Sequence, residues 1–180
     1  MARIIVVTGG VRSGKSVFAE KLMLDNNKKL IYLATCPNID SELDKRIVKH
    51  RQRRQSYSWE TVEEQLDISG VIAKNPHSSY LVECLTLWVN NLMYAAELSG
   101  QELTEKDISQ SCEELIEACS LCSGTLLFVT NETGMGIMPE NKVARKFGDL
   151  AGRCNQLLAA AADEVYLLVS GIPLKIKGEL

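Results

Sequence analysis

The amino-acid sequence predicts an α/β fold, with a mostly parallel sheet and helices on both faces. Short β-branched apolar runs alternate with longer amphipathic segments along the 180 residues, as strands and crossover helices do. A glycine-rich stretch separates the first apolar run from the first helical segment, an arrangement typical of phosphate-binding folds. Because no repeat, low-complexity tract or linker divides the chain, we expect a single nucleotide-binding domain over residues 1–180.

Six apolar runs bounded by turn residues are predicted as strands. They are "RIIVVT" (3–8), "LIYLAT" (30–35), part of "SYSWETVEE" (56–64), "SSYLVECLT" (78–86), "GTLLFVTNE" (124–132) and "DEVYLLVSG" (163–171). Helical periodicity predicts helices over residues 16–24, over 40–54, through Trp88, Leu92 and Ala95, from a cap at Thr104 or Asp107 to about Leu121, and over 141–162. "GMGIMPEN" (134–141) is predicted as a loop, and the final "IPLKIKGEL" as a tail.

Composition excludes several classes of function. The net charge of −3 gives no general attraction to nucleic acid, so any anion site has to be local. The start "MARIIVVTGG" makes a poor signal peptide, and no apolar run approaches the roughly 20 residues that cross a bilayer. We therefore expect no nucleic-acid partner, no membrane span and a cytoplasmic location, where the six cysteines would be reduced thiols.

Cys119 and Cys122 form a C-x-x-C pair, which could be redox-active or half of a zinc site. No second pair and no suitably spaced histidine completes a metal site. The pair also stands at the end of a helical pattern, so a structural role is favoured.

Residues 9–16, "GGVRSGKS", match the phosphate-loop pattern G-x-x-x-x-G-K-[ST]. Glycines let successive backbone N–H groups turn toward an anion, and the next helix adds its positive amino end. Lysine supplies a charge for the β and γ phosphates, and serine a hydroxyl for Mg²⁺. The predicted nucleotide-binding residues are Gly9, Gly10, Val11, Arg12, Ser13, Gly14, Lys15 and Ser16. The loop by itself leaves kinase and switch equally open.

Such a site usually needs an acidic residue at the end of a neighbouring strand, to hold Mg²⁺ or its water. Glu83 in "YLVECLT" fits that place, and Glu132 in "FVTNE" is a second candidate. Ser16 and Glu83 are the predicted metal ligands. Glutamate is less typical here than aspartate, so a carboxylate that only caps a backbone remains the alternative for Glu83.

A basic run, "DKRIVKHRQRR" (44–54), places six cations around His50. Such a run is usually a solvated helix face. An RNA-binding site would also need aromatic residues among the cations, and this run has none. Neighbouring positive charge disfavours the imidazolium, which would leave His50 a neutral nucleophile with cations nearby to hold a triphosphate. This combination favours nucleotidyl transfer. The other histidine, His77 in the polar turn "KNPHSS", is predicted to face solvent.

Three stretches together resemble the bifunctional adenosylcobinamide kinase/adenosylcobinamide-phosphate guanylyltransferase family of cobalamin biosynthesis. They are "VTGGVRSGKS", "RIVKHRQRR" and the block from Thr130 to Lys177 that begins "TNETGMGIMPEN". The resemblance implies a RecA-like phosphate-loop fold assembled as a homotrimer. It also implies two activities, phosphorylation of adenosylcobinamide with ATP or GTP, and transfer of GMP from GTP to adenosylcobinamide phosphate with release of pyrophosphate.

The resemblance also implies roles for individual residues. His50 matches the histidine that carries the guanylyl group, and Lys15 belongs to the catalytic nucleotide loop. The remaining nucleotide-site positions that it implies are Ala34, Thr35, Cys36, Arg51, Gln52, Arg53, Arg54, Glu63 and Glu83. Gln55 is a departure, because the family commonly has proline there, which puts the turn after the arginines in doubt but removes no chemical group.

Two rival functions stay open at this point. A small-molecule kinase without guanylyl transfer would use the phosphate loop and leave His50 structural. A nucleotide-dependent switch would need a guanine-reading N-K-x-D motif, which "TNET" (130–133) does not supply.

Overall fold

A computed structural model describes residues 2–24, 29–37 and 59–179. In these ranges the chain forms one seven-stranded sheet in the order β3-β2-β4-β5-β1-β6-β7, flanked by five helices. The strands are β1 (Arg3–Gly9), β2 (Leu30–Ala34), β3 (Trp59–Glu63), β4 (Ser79–Glu83), β5 (Thr125–Val129), β6 (Glu164–Val169) and β7 (Ile172–Lys177). The helices are α1 (Lys15–Met23), α2 (Ile68–Lys74), α3 (Leu85–Leu98), α4 (Glu105–Ser120) and α5 (Lys142–Ala161).

The sheet is parallel from β3 through β6, and β7 alone among its strands runs antiparallel, beside β6. In a parallel sheet the carboxyl ends of all strands lie at one edge, which in open α/β folds is the ligand-binding edge. The phosphate loop follows β1, near the middle of that edge. The α/β class and the mostly parallel sheet predicted from the sequence are thus confirmed.

Alternating residues of the central strands build two apolar layers, because successive side chains point to opposite faces. On β1, Ile4 and Val6 belong to the layer covered by α2 to α5. Ile5 and Val7 belong to the layer covered by α1, in which Ala19 and Met23 are fully buried. Helices therefore cover both faces, as predicted.

Two elements differ from the sequence prediction. The residues predicted as a tail form β7, an edge strand whose Pro173 pairs with Leu168 of β6, a place where proline is tolerated. The short helix α2 was not predicted; it begins after Asp67, whose Oδ1 accepts a hydrogen bond from the Gly70 N–H at 2.8 Å. The helix predicted over residues 40–54 lies outside the described residues.

No helix in the described part of the chain combines the length and the apolar character needed to cross a bilayer.

Candidate functional site

The loop between β1 and α1 has the backbone conformation that its glycines permit. Gly9 has φ 146° and Gly14 has φ 96°, values that side chains with a Cβ rarely adopt. A Cβ on Gly9 would also lie 2.4 Å from the backbone oxygen of Leu168 in β6, so a larger residue would force the strands apart. Val11 and Arg12 at the tip of the loop are exposed.

Lys15 lies at the start of α1 and is almost fully buried. Its Nζ donates hydrogen bonds to the backbone oxygens of Gly9 at 3.0 Å and Gly10 at 2.7 Å. Burial lowers the pKa of Lys15, and the nearby Cys84 and Glu83 side chains only partly oppose that effect. The ammonium group is thus held inside the loop, where phosphate oxygens would meet it.

Ser16 and Glu83 come together at the far end of the loop. Ser16 Oγ donates a hydrogen bond to Glu83 Oε1, and the buried Tyr32 Oη donates to Glu83 Oε2 at 3.3 Å. Both carboxylate oxygens therefore have a fixed direction. A hydroxyl and one carboxylate are the hard oxygen donors with which proteins hold a phosphate-bound Mg²⁺.

Strand register places a second carboxylate near Glu83. Ala34 of β2 pairs with Glu63 on one side and with Glu83 on the other. Neighbouring strands are about 4.8 Å apart, so the two glutamate backbones lie about 10 Å apart and their side chains share a face. The structure thus brings together Ala34, Glu63 and Glu83, three positions predicted from the resemblance.

Thr35 follows Ala34 and is completely buried. Its Oγ1 accepts from the Cys84 N–H at 2.8 Å and donates to the Cys84 oxygen at 2.9 Å, which ties the ends of β2 and β4 together. Asn91 of α3, which sequence reasoning missed, donates to the Thr35 oxygen at 2.7 Å and to the Gln65 oxygen at 3.1 Å. One buried amide thus fixes the chain just after β2 and just after β3. Cys36, the next predicted position, is partly exposed.

A second polar network lies at the carboxyl end of β5. Asn155 of α5 accepts from Thr130 Oγ1 at 2.7 Å and donates to the Asn131 oxygen at 3.0 Å. Thr86 of α3 accepts from the Asn131 backbone N–H and from its side-chain amide, both at 3.0 Å. The sequence signal for this network was the polar "TNE" directly after a buried strand, although its partners on the two helices could not be identified from sequence.

Glu132, the second acidic candidate, belongs to this network and also contacts the phosphate loop. Its Oε1 accepts from Thr8 Oγ1 at 2.8 Å, and its backbone N–H donates to the Gly9 oxygen at 3.2 Å. Glu132 thus approaches the beginning of the loop, whereas Glu83 approaches its end at Ser16.

The residues predicted for guanylyl transfer, His50, Arg51, Gln52, Arg53 and Arg54, lie outside the described residues. Pro37 follows β2 at the carboxyl edge of the sheet, where the phosphate loop lies, and Trp59 begins β3.

His77 is exposed, as predicted, and its Nδ1 lies 3.3 Å from Ser123 Oγ. Cys119 and Cys122 are both buried, and burial raises the pKa of Cys119 to about 12 and also raises the pKa of Cys122. A buried, protonated thiol is a poor redox nucleophile. The burial of both thiols agrees with a structural role for this pair.

Comparison with known proteins identifies close relatives. Residues 5–176 match the family described as cobinamide kinase / cobinamide phosphate guanyltransferase, CobU. The chain is 45% identical to the bifunctional adenosylcobalamin biosynthesis protein CobU of Escherichia coli K12, an alignment that covers 97% of this chain and 99% of the relative. It is 34% identical to the bifunctional adenosylcobalamin biosynthesis protein CobP of Pseudomonas aeruginosa, with 97% of each chain covered.

Solved structures of similar fold are distant in sequence. One is a prototypical ATPase from the type III secretion system of pathogenic bacteria, with a TM-score of 0.58 and 10% identity over 93% of this chain. Another is the ATP synthase subunit NeqB of Nanoarcheaum equitans, with a TM-score of 0.53 and 13% identity over 92% of this chain. This chain spans 51% and 45% of those two proteins. The likeness shows a phosphate-loop ATPase fold.

Proposed function

The chain belongs to the cobinamide kinase/cobinamide phosphate guanyltransferase family, and from that membership we propose how its residues carry out the two reactions. It is an enzyme of cobalamin biosynthesis, a kinase and a guanylyltransferase. The match over residues 5–176, which includes both the phosphate loop and His50, is the observation that carries the assignment.

In the first reaction, a nucleoside triphosphate, ATP or GTP, donates its γ-phosphoryl group to a hydroxyl of adenosylcobinamide. Lys15 moves from the Gly9 and Gly10 oxygens to the β and γ phosphates, where it offsets charge that grows on the leaving diphosphate. The buried Ser13 Oγ, which has no hydrogen-bond partner in the described part of the chain, is available to donate to a phosphate oxygen.

Ser16 and Glu83 are the residues that would hold Mg²⁺. Their hydroxyl and carboxylate oxygens suit that ion, and Tyr32 keeps the carboxylate turned toward Ser16. When bound, Mg²⁺ would supply positive charge that offsets the charge of the phosphate oxygens. A site with one protein carboxylate fits this role, since Mg²⁺ takes its remaining ligands from phosphate and water.

In the second reaction, His50 attacks the α-phosphorus of GTP, and the bond to the β-phosphate oxygen breaks to release pyrophosphate. The guanylyl-histidine then passes GMP to the phosphate of adenosylcobinamide phosphate, so that one difficult displacement becomes two easier ones. Arg51, Arg53 and Arg54 would neutralise the leaving pyrophosphate. Supporting this proposal, the stretch that carries His50 continues from Thr35–Pro37, beside Glu63 and Glu83 at the edge where the phosphate loop lies.

The family resemblance also implies a cellular location, an oligomeric state and partners for this enzyme. The enzyme would act in the cytoplasm as a homotrimer, with adenosylcobinamide and its phosphate as its partners.

Labelling with [α-³²P]GTP tests the histidine step. Wild-type enzyme is expected to become labelled, with an adduct that is lost in acid and stable in alkali, as a phosphoramidate is. His50→Ala should abolish the label, and the matched control His77→Ala, at an exposed position, should leave it unchanged. Label that persists in His50→Ala would refute the role of His50. Transfer of γ-phosphate without any α-label in wild type would instead indicate a kinase without guanylyl transfer.

A further inference from the structure

Glu132 lies against the beginning of the phosphate loop. Its backbone N–H donates to the Gly9 oxygen at 3.2 Å, the same oxygen that accepts from Lys15 Nζ at 3.0 Å. Because Lys15 marks where the β and γ phosphates bind, Glu132 lies next to the end of the nucleotide from which phosphate is transferred.

The two carboxylates at the loop lie on opposite faces of the sheet. Glu83 hydrogen-bonds to Ser16 of α1 and to Tyr32, which belongs to the apolar layer under α1. Glu132 accepts from Thr8 and, at 3.4 Å, from Asn155 of α5, which packs on the other face. No hydrogen bond joins Glu132 to Ser16 in the described part of the chain, so the two carboxylates engage different parts of the loop.

Glu132 is held in place on one oxygen only. Thr8 and Asn155 both donate to Oε1, and within the described residues no hydrogen bond engages Oε2. The side chain is half-buried, and Oε2 is the oxygen that remains to take a proton. The Asn155 and Thr86 contacts to residues 130 and 131 fix the backbone on which Glu132 stands, and such preorganisation is what proton transfer requires.

A groove lies on the same face of the sheet as Glu132. An open groove of about 350 Å³ lies between α3 and α5, and Asn90, Met93, Tyr94 and Val143 are among its lining residues. Asn90 follows Thr86 by one helical turn, and Thr86 hydrogen-bonds to Asn131, the neighbour of Glu132. The groove thus lies on the Glu132 side of the sheet, away from α1.

We propose that Glu132 is the general base of the phosphoryl-transfer reaction. Its carboxylate takes the proton of the acceptor hydroxyl as that oxygen bonds to the γ-phosphorus. The bond between the γ-phosphorus and the β–γ bridging oxygen breaks, and the electron pair leaves with the nucleoside diphosphate. The protonated carboxyl then returns its proton to solvent. This inference rests on the proposed kinase reaction and assigns Glu132 no part in guanylyl transfer.

Glu132→Gln keeps the shape of the side chain and removes its basicity. With cobinamide and [γ-³²P]ATP we expect kcat to fall about 100- to 1,000-fold, the range of general base catalysis, with the KM for ATP within about threefold of wild type. Labelling by [α-³²P]GTP should stay near wild type. Glu132→Asp should recover part of the lost kcat, and Glu140→Gln, on an exposed loop position, is the matched control.

Three results would overturn the proposal. They are a kinase kcat for Glu132→Gln within threefold of wild type, a parallel loss of α-label, or activity that returns when the Mg²⁺ concentration is raised, which would make Glu132 a metal ligand. If Glu132→Gln does not fold, Thr8→Val is the alternative test, because it removes the hydroxyl that orients Oε1. It should lower kinase kcat about tenfold with the label unchanged, and an unchanged kcat counts against the base. Wild type that transfers no γ-phosphate to cobinamide would refute the kinase itself.

Discussion

Gly9 shows how one residue can fix the geometry of a phosphate site. Its φ of 146° belongs to a region that glycine enters without steric cost. Because Gly9 has no side chain, the backbone of β6 can pass close to it. A Cβ at this position would lie only 2.4 Å from the backbone oxygen of Leu168. The carbonyl oxygen of Gly9 accepts from both Lys15 and Glu132. The conformation of the loop and its packing against β6 thus both require that residue 9 has no side chain.

Gly9→Ala should destabilise the fold, whereas Gly10→Ala should be nearly neutral, because a Cβ on Gly10 has no neighbour within 4 Å. We expect Gly9→Ala to lower the free energy of unfolding by about 3 kcal/mol, the range for backbone strain combined with a steric clash. The melting temperature would then fall by about 6–12 °C. Calorimetry of the two variants checks this, and equal melting temperatures would contradict it.

Lys15→Ala separates catalysis from stability. Removal of the ammonium group should lower the kinase kcat/KM at least about 100-fold, because Lys15 is the buried cation of the loop, whereas Arg12, the other one, is exposed at its tip. Stability should change little, since the lost hydrogen bonds are offset by relief of a buried charge. Phosphate transfer and thermal melting are measured together, with the exposed Lys74→Ala as control. A variant that loses activity only because it unfolds would show a lower melting temperature.

At the scale of the element, secondary structure was predictable wherever burial imposed a strong pattern. β1, β2, β4 and β5 are apolar runs buried on both faces, and sequence reasoning located each of them. β7 escaped it although its apolar residues alternate along IPLKIK, because a proline within a run argues against a strand unless the strand lies at the edge of a sheet. α2 escaped it because its seven residues carry too few periodic positions to outweigh the polar residues around them.

Only part of the candidate site was predictable from the sequence. The phosphate loop and Glu83 carry their chemistry in local sequence, so a motif and a strand end were enough to find them. Asn91, Thr86 and Asn155 act only through contacts with distant residues. No spacing along the chain reveals such contacts, so these three residues emerged only from the fold.

The amino end of α5 offers a test at the same scale. Asn141 accepts a hydrogen bond from the Ala144 N–H at 3.1 Å and so caps one of the unpaired donors of the helix. Asn141→Ala should lower the free energy of unfolding by about 1 kcal/mol and the melting temperature by about 2–4 °C. Asn141→Asp, which keeps the acceptor, should melt close to wild type. Equal melting of all three proteins would show that the cap contributes nothing.

At the scale of the whole molecule, Glu164 ties together three strands at the edge of the sheet opposite the phosphate loop. It begins β6 and hydrogen-bonds to Arg3 of β1, to Tyr166 at 2.6 Å and to Lys175 of β7 at 3.0 Å. Burial alone would raise the pKa of Glu164, but the hydrogen bonds from Tyr166, Arg3 and Lys175 outweigh it and lower the pKa to about 2. The folded state therefore favours the ionised carboxylate.

This shift makes stability depend on pH. The folded-state pKa is below the unfolded value of 4.5, so the stabilisation is present above pH 4.5 and is lost as pH falls toward about 2. We expect about 2–3 kcal/mol, less than the full shift because Arg3 is half-exposed and screened. Denaturant unfolding of Glu164→Gln should show this loss at pH 7 and almost none at pH 2. Glu60→Gln, which breaks an exposed pair with Lys29, should have little effect at either pH.

The two hydrogen bonds from Lys15 to its own loop make nucleotide binding an exchange of partners. A phosphate that recruits the ammonium group breaks both of these charge-assisted hydrogen bonds, each worth about 1.5–3 kcal/mol. The Gly9 and Gly10 oxygens then keep only the Glu132 and Ser13 N–H groups as donors. A ligand with a single phosphoryl group makes few contacts that offset the loss of these hydrogen bonds, whereas a triphosphate also accepts hydrogen bonds from the loop amides. The loop is thereby selective for phosphate chain length, and free inorganic phosphate in the cell should compete only weakly with the nucleotide.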